Sequence, residues 1–202
     1  MSRDVRVCFF GDSYTLGAGD ETALGWVGRV AAAARASGVD LAAFNLGIGG
    51  ETSLDVARRW YAEASRRLRG GDAHAVVFAF GTNDADASSG RPRVAPDRTL
   101  RALADCLDEA HAASWPALVV GPPPVLDDAQ TAHARKLAAG MAAACRERGV
   151  PFVDTLAALD GDEGWHRELA GGDGYHPGSP GYQRLAACLI APMTAWLAAL
   201  PS

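Results

Sequence analysis

The chain has 202 residues, of which 49% are hydrophobic and 21% charged, and its formal net charge is −5 at pH 7. This composition predicts one soluble globular domain over residues 1–202, because it is too apolar for a disordered chain. The negative charge argues against nucleic acid as a partner, since phosphate binding requires clustered positive charge. No uncharged apolar run approaches about 18 residues, which argues against a membrane span. The first residues lack the pattern of a signal peptide, so we expect a cytoplasmic location.

The four cysteines, Cys8, Cys106, Cys145 and Cys188, lie far apart in apolar segments. None forms a Cys-x-x-Cys pair, which disfavours a zinc site or a thioredoxin-like redox site. We therefore expect buried, reduced thiols, as is usual in the cytoplasm. We expect neither a metal nor another cofactor.

Short apolar runs alternate with longer segments of helical spacing along the whole chain. The runs of strand length cover residues 5–10, 41–46, 75–80, 117–120 and 151–153. The helical segments cover residues 24–34, 54–68, 100–110, 128–148 and 179–199. Five such alternations predict an α/β fold, a three-layer α/β/α sandwich with a parallel sheet of about five strands. The nearly continuous apolar strands fit such a sheet, because it is buried on both faces.

Two connections, residues 82–96 and 155–178, are predicted to be long loops, and long loops in small domains are often functional. The helix predicted over 54–68 has a strongly basic side, which we expect to face solvent. That side consists of Arg58, Arg59, Arg66 and Arg67.

Polar and glycine-rich stretches follow the first three predicted strands and precede the last helix. They are Gly11-Asp12-Ser13-Tyr14, residues 45–52, Gly81-Thr82-Asn83-Asp84 and Asp173-Gly174-Tyr175-His176-Pro177. In an open parallel sheet the ligand crevice lies at the carboxyl ends of the strands, so these stretches should meet there. Together they supply a hydroxyl nucleophile, a base, a carboxylate and several hydrogen-bond donors.

In this set of motifs the chain resembles the SGNH hydrolases, also called GDSL esterases and lipases. The four blocks occur in the family's order between Phe10 and Pro177, with Gly49 to Ser53 as the second block. The resemblance implies a flavodoxin-like SGNH hydrolase fold and a serine ester hydrolase that needs no metal. Two positions depart from the family's usual residues. Tyr14 stands where the family often has leucine, and Glu51 stands where some members have aspartate.

The resemblance implies that Ser13 is the nucleophile, His176 the general base and Asp173 the carboxylate that orients it. From the residues alone, Ser13 could instead cap a helix, and Asp173 to Gly178 could be only a turn. Among the other histidines, His166 in the predicted loop is the one rival for the base.

The implied oxyanion hole consists of the backbone N–H groups of Ser13 and Gly50 and the side-chain amide of Asn83. Gly47 and Gly49 are alternatives to Gly50. The Gly49-Gly50 pair could also be a flexible turn, and Asn83 could form an Asx turn.

Six further residues are candidates for supporting the site or binding substrate. Asp12 could support the site by hydrogen bonds, or could only place negative charge at a helix N-terminus. The others could line an acyl or alcohol pocket, or could equally be packing residues. They are Tyr14, Ile48, Val125, Trp165 and Tyr175.

The expected partner is a small-molecule ester, and without a second domain to act as a large lid we expect small or short-chain esters. A carbohydrate acetylesterase, a lysophospholipase and a thioesterase are alternatives on the same fold. A non-catalytic nucleotide- or ligand-binding protein is less favoured, because Gly47-x-Gly49-Gly50 lacks the Gly-x-Gly-x-x-Gly spacing. The sequence contains no signal for an oligomeric state.

Overall fold

A parallel five-stranded sheet forms the centre of the protein in the computed structural model, which describes residues 3–201. Its strands are β1 (Asp4–Gly11), β2 (Asp40–Gly47), β3 (Ala73–Ala79), β4 (Ala117–Val120) and β5 (Phe152–Val153). They lie in the order β2-β1-β3-β4-β5, and every neighbouring pair is parallel. This is the strand order of flavodoxin-like folds, whose ligands bind beyond the carboxyl ends of the strands.

Helices cover both faces of the sheet. They are α1 (Ser13–Leu16), α2 (Gly25–Ala36), α3 (Ser53–Arg67), α4 (Thr82–Ala85), α5 (Pro96–Ala112), α6 (Asp128–Glu147), α7 (Thr155–Leu159), α8 (Glu163–Ala170) and α9 (Ser179–Ala198). One face packs against α2, α8 and α9, and the other against α3, α5 and α6. The predicted three-layer α/β/α sandwich is therefore confirmed.

The central strand β1 shows why the sheet needs helices on both sides. Its alternate side chains point to opposite faces, so Phe9 joins one core and Phe10 the other. The Phe9 ring meets Trp26 of α2 edge-on at 5.7 Å between centroids, and Phe10 meets Trp60 of α3 at 6.2 Å. Burial on both faces explains the unbroken apolar run at this strand.

The prediction of a long loop over 155–178 is wrong for residues 155–170, which contain α7 and α8. Each of these short helices is stabilised at its N-terminus by an aspartate side chain. Asp154 accepts the backbone N–H of Ala157, and Asp162 accepts that of Trp165. The other predicted loop, 82–96, begins with the single turn α4.

Among the described residues, no helix is both long enough and apolar enough to cross a membrane. The cytoplasmic location stays a prediction.

Candidate active site

Ser13 is the first residue of α1, directly after the turn that ends β1. The turn is tight: a Cβ at Gly11 would collide with the carbonyl oxygen of Ala79 and the hydroxyl of Thr15. Asp12 caps the helix, its side chain accepting the backbone N–H of Tyr14 at 3.0 Å. This short turn holds the Ser13 hydroxyl at the carboxyl edge of the central strand.

Ser13, His176 and Asp173 form a continuous chain of hydrogen bonds. The Nε2 atom of His176 lies 2.8 Å from the Oγ of Ser13, and its Nδ1 lies 2.7 Å from the Oδ2 of Asp173. Burial raises the pKa of Asp173, but hydrogen bonds from His176 and Tyr175 outweigh it and lower that pKa to about 2. The ionised carboxylate accepts a hydrogen bond from Nδ1–H, which leaves the lone pair of Nε2 facing the Ser13 hydroxyl.

The rival histidine, His166, has a different environment. It lies in α8, and its Nε2 is 2.7 Å from the carbonyl oxygen of Asp160. Of the two candidates for the base, the structure places only His176 against Ser13.

The loop after β2 presents backbone N–H groups beside this chain. Within the described part of the protein, the N–H groups of Ser13, Gly49 and Gly50 have no acceptor at hydrogen-bond distance. The N–H of Gly47, in contrast, donates to the Oδ1 of Asn45 at 3.1 Å. Gly50 has a φ of +78°, a conformation that favours glycine, and no atom lies within 4 Å of the position of its absent Cβ.

Asn83 lies in α4, at the end of β3, and contacts this loop directly. Its amide nitrogen donates to the carbonyl oxygen of Glu51 at 2.8 Å. An amide group carries two N–H donors, so this bond orients the group and leaves a second donor available.

Asp84, which the sequence analysis did not single out, ties α4 to its neighbours. It is buried and accepts the backbone N–H of Ser53 at 2.9 Å, and also the Ser53 hydroxyl. The Thr99 hydroxyl donates to the same carboxylate at 2.7 Å. One carboxylate therefore fixes the helix that carries Asn83 against α3 and α5.

A sequence profile of the GDSL-like lipase/acylhydrolase family matches residues 9–184. The chain belongs to this family. No protein with a curated description matches it. The match extends from β1 into α9 and spans all four blocks on which the resemblance was based.

Solved structures of low sequence identity share the fold of this GDSL-family chain. TesA is 23% identical with a TM-score of 0.77, over 95% of this chain and 99% of that chain. A lipase/acylhydrolase from Enterococcus faecalis is 23% identical with a TM-score of 0.76, over 100% and 98%. Axe2, an acetylxylan esterase from Geobacillus stearothermophilus, is 21% identical with a TM-score of 0.73, over 92% of each chain. These likenesses show a common SGNH hydrolase fold.

Three of the residues considered for a substrate pocket are buried behind the site of this GDSL-family chain. Trp165 is fully buried, and Tyr14 and Val125 are nearly so. The Tyr14 ring lies 5.8 Å from that of His176 and 6.2 Å from that of Trp165, whose Nε1 donates to the Pro124 carbonyl. Tyr14 and Trp165 therefore form a packed support under the histidine turn.

Tyr175 is half-buried near the site, and Ile48 is exposed there. The Tyr175 hydroxyl donates to Oε1 of Gln130 at 2.9 Å, and the Gln130 amide donates to the Thr82 carbonyl at 2.9 Å. This bridge connects the histidine turn to the helix that carries Asn83, and no sequence motif marks Gln130. The Ile48 side chain is 45% exposed, so contact with substrate stays a prediction for Ile48 and Tyr175.

Asp12 is buried as well as capping α1. Burial raises its pKa to about 7, and the hydrogen bond from the Tyr14 backbone opposes that shift. Asp12 therefore caps α1 by a hydrogen bond. It places a full negative charge at the helix N-terminus only above about pH 7, because below that pH its side chain is mostly protonated.

Proposed function

We propose that this chain is a serine ester hydrolase that cleaves small or short-chain acyl esters through an acyl-enzyme on Ser13. One observation carries the proposal: the hydrogen-bonded chain from Asp173 through His176 to Ser13, with distances of 2.7 and 2.8 Å. Serine is a weak nucleophile at its own pKa and requires an adjacent base, and an imidazole nitrogen within hydrogen-bond distance supports that role for His176.

In the first half of the reaction, Ser13 Oγ attacks the ester carbonyl carbon while His176 Nε2 takes its proton. Negative charge develops on the carbonyl oxygen, where the N–H groups of Ser13, Gly50 and Asn83 are the proposed donors. The tetrahedral intermediate collapses, the C–O bond to the alcohol breaks, and His176 returns the proton to the leaving oxygen.

In the second half, His176 removes a proton from water, and the resulting hydroxide attacks the acyl-enzyme. The same donors hold the second oxyanion, and the acid leaves as Ser13 regains its proton. Asp173 stabilises the charged imidazole in both halves without taking a proton itself.

The position of the apolar residues supports a small acyl group. Tyr14, Val125 and Trp165 are buried, so they offer little surface to an acyl chain. The exposed apolar side chains next to the site are Ile48, Leu16, which adjoins Gly47, and Leu126, which adjoins Gly174. Three side chains on separate segments offer limited surface for burying a long chain, since transfer free energy scales with the apolar area buried.

A panel of p-nitrophenyl esters of increasing chain length, run beside acetylated xylo-oligosaccharides and an acyl-CoA, tests both parts of the proposal. The sugar arm is included because Axe2, which shares the fold, is an acetylxylan esterase. We expect the acetate or butyrate ester to have the highest kcat/KM, and Ser13→Ala to abolish hydrolysis and fluorophosphonate labelling. Undiminished turnover by Ser13→Ala would refute the nucleophile, and a preference for long acyl chains would refute the substrate class.

A further inference from the structure

The loop over 47–51 joins both parts of the proposed oxyanion hole. It carries the N–H of Gly50, and its last residue, Glu51, accepts the Asn83 amide on its backbone carbonyl. Three of its five residues are glycine, which makes the loop intrinsically flexible. Donors that stabilise a developing charge must be held in place before the reaction, so something must fix this loop.

The Arg59 guanidinium on α3 contacts the last residue of the loop and the residue just before its start. Its Nε lies 2.8 Å from Oε2 of Glu51, and its Nη2 lies 2.6 Å from the same oxygen. The Nη2 also donates to the carbonyl oxygen of Leu46, just before the loop, at 2.7 Å. The remaining Nη1 donates to Glu63 at 3.0 Å.

These contacts are mostly removed from water. The side chains of Arg59 and Glu51 are each 16% exposed, and the Arg59 guanidinium carbon lies 5.7 Å from the centre of the Phe10 ring. The expectation that Arg59 lies on the solvent face of its helix is therefore wrong. A paired guanidinium in such a place is held more rigidly than a surface ion pair, because its partners cannot be exchanged for water at little cost.

We propose that Arg59 is a positioning residue for the oxyanion hole, acting through Glu51 on both Gly50 and Asn83. The inference rests on the proposed function. Arg59 fixes the Glu51 side chain against the Leu46 carbonyl, and the Glu51 carbonyl in turn orients the Asn83 amide. The planar guanidinium can bridge a carboxylate and a carbonyl at once, whereas the single ammonium of lysine is a point charge on a flexible stem.

A double-mutant cycle between Arg59 and Asn83 tests this inference. Arg59→Gln should lower kcat about tenfold or more and leave KM within about twofold, because the donors act once charge has developed. If the two losses were independent, their fold-losses in kcat would multiply in the variant that combines Arg59→Gln with Asn83→Ala. We expect the kcat of that double variant to be at least about threefold higher than this multiplied loss would leave. The pH profile of kcat/KM should keep its shape, since Arg59 does not touch the proton-transfer chain.

Arg67→Gln is the matched control, because Arg67 lies on the same helix and is the other partner of Glu63, at 3.6 Å. It should keep the activity of the natural protein. If Arg59→Gln does not fold, Arg59→Lys or Glu51→Gln takes its place in the cycle with Asn83→Ala, and the same result is expected. Multiplicative losses in a folded double variant, or a loss confined to KM, would overturn the role of Arg59. Failure of the proposed function is a separate result, because it would show as full activity in Ser13→Ala.

Discussion

The Asp173 carboxylate holds His176 at two atoms. Its Oδ1 accepts the backbone N–H of His176 at 2.8 Å, and its Oδ2 accepts the ring Nδ1 at 2.7 Å. The three-residue spacing lets one short turn carry both the proposed base and the carboxylate bonded to it. The backbone bond fixes the carboxylate, so the ring bond selects which imidazole nitrogen faces Ser13.

Asp173→Asn tests that selection. The new amide can still accept the backbone N–H of His176 through its oxygen, so the turn should keep its shape. Its NH₂ group cannot accept a hydrogen bond from Nδ1–H and donates to Nδ1 instead, so the imidazole carries its proton on Nε2, the wrong tautomer for a base. We expect kcat to fall by about 10³–10⁴ with the fold retained. Steady-state kinetics on p-nitrophenyl acetate and a thermal melt check this.

Asp160→Asn serves as the control for Asp173→Asn. Asp160 is exposed and pairs with Arg135 away from Ser13, so its variant should keep full activity. A folded Asp173→Asn enzyme with activity near that of the natural protein would remove Asp173 from the mechanism.

Asn83→Asp separates an oxyanion donor from a turn former. Aspartate can also form an Asx turn, so a turn former would tolerate the change. A carboxylate cannot donate to an oxyanion, and it would also face the carbonyl oxygen of Glu51 that now accepts the amide. We expect Asn83→Asp to be at least as damaging as Asn83→Ala, with a loss of about 10²–10³ in kcat.

The measurement for Asn83 is kcat and KM for each variant, with the rate of fluorophosphonate labelling as an independent readout. Labelling should slow but persist, because Ser13 and His176 remain. An Asn83→Asp enzyme that is folded and as active as the natural protein would contradict the donor role.

The parts of the site that could be predicted from the sequence are those encoded by short local motifs. Ser13, Asn83 and the pair Asp173 and His176 each follow a strand or precede a helix, and parallel topology brings such positions to one edge. The spacing of apolar residues likewise predicts the five strands and the five long helices, because burial repeats regularly along each element.

The residues that were missed depend on contacts far apart in the sequence. Arg59 looks like a solvent-facing helix residue until β2 places Leu46 and Glu51 around its guanidinium. Asp84 gains its role only when α3 and α5 bring Ser53 and Thr99 to it. The helices α7 and α8 are too short for a periodic pattern, and their capping aspartates are common in loops as well.

Gly47 and Gly49 give a matched pair of substitutions in the loop after β2. A Cβ at Gly47 would collide with the backbone nitrogen of Leu16, and backbone cannot move aside cheaply. No atom lies within 4 Å of the position a Cβ would take at Gly49. We expect Gly47→Ala to destabilise the protein by about 1–3 kcal/mol through overpacking, and Gly49→Ala to change stability by less than about 0.5 kcal/mol.

Urea unfolding of the two glycine variants measures this difference directly. Gly49→Ala should also keep its activity, because alanine retains the backbone N–H of residue 49 and its Cβ meets no neighbour. Equal stability of the two variants would show that β2 and α1 do not approach as closely at Gly47 as described.

The burial of the Asp12 carboxyl group should make the stability of the protein depend on pH. Burial raises its pKa from 3.8 to about 7 in the folded protein. Between these values the folded state binds a proton that the unfolded state has lost, so this group makes stability fall as pH rises from about 4 to about 7. The cost is absent well below the lower value and complete above the upper one.

Asp12→Asn should remove that pH dependence, because asparagine does not ionise and its Oδ1 can still accept the Tyr14 backbone N–H. Relative to the natural protein, its free energy of unfolding should improve by about 2–3 kcal/mol on going from about pH 5 to about pH 8. Any fixed cost of burying the new NH₂ group shifts both values equally and cancels in this comparison. Asp105→Asn, an exposed aspartate on α5, is the control and should show no such change. If Asp12→Asn differs from the natural protein in its free energy of unfolding by the same amount at both pH values, Asp12 keeps an ordinary carboxyl pKa in the folded protein.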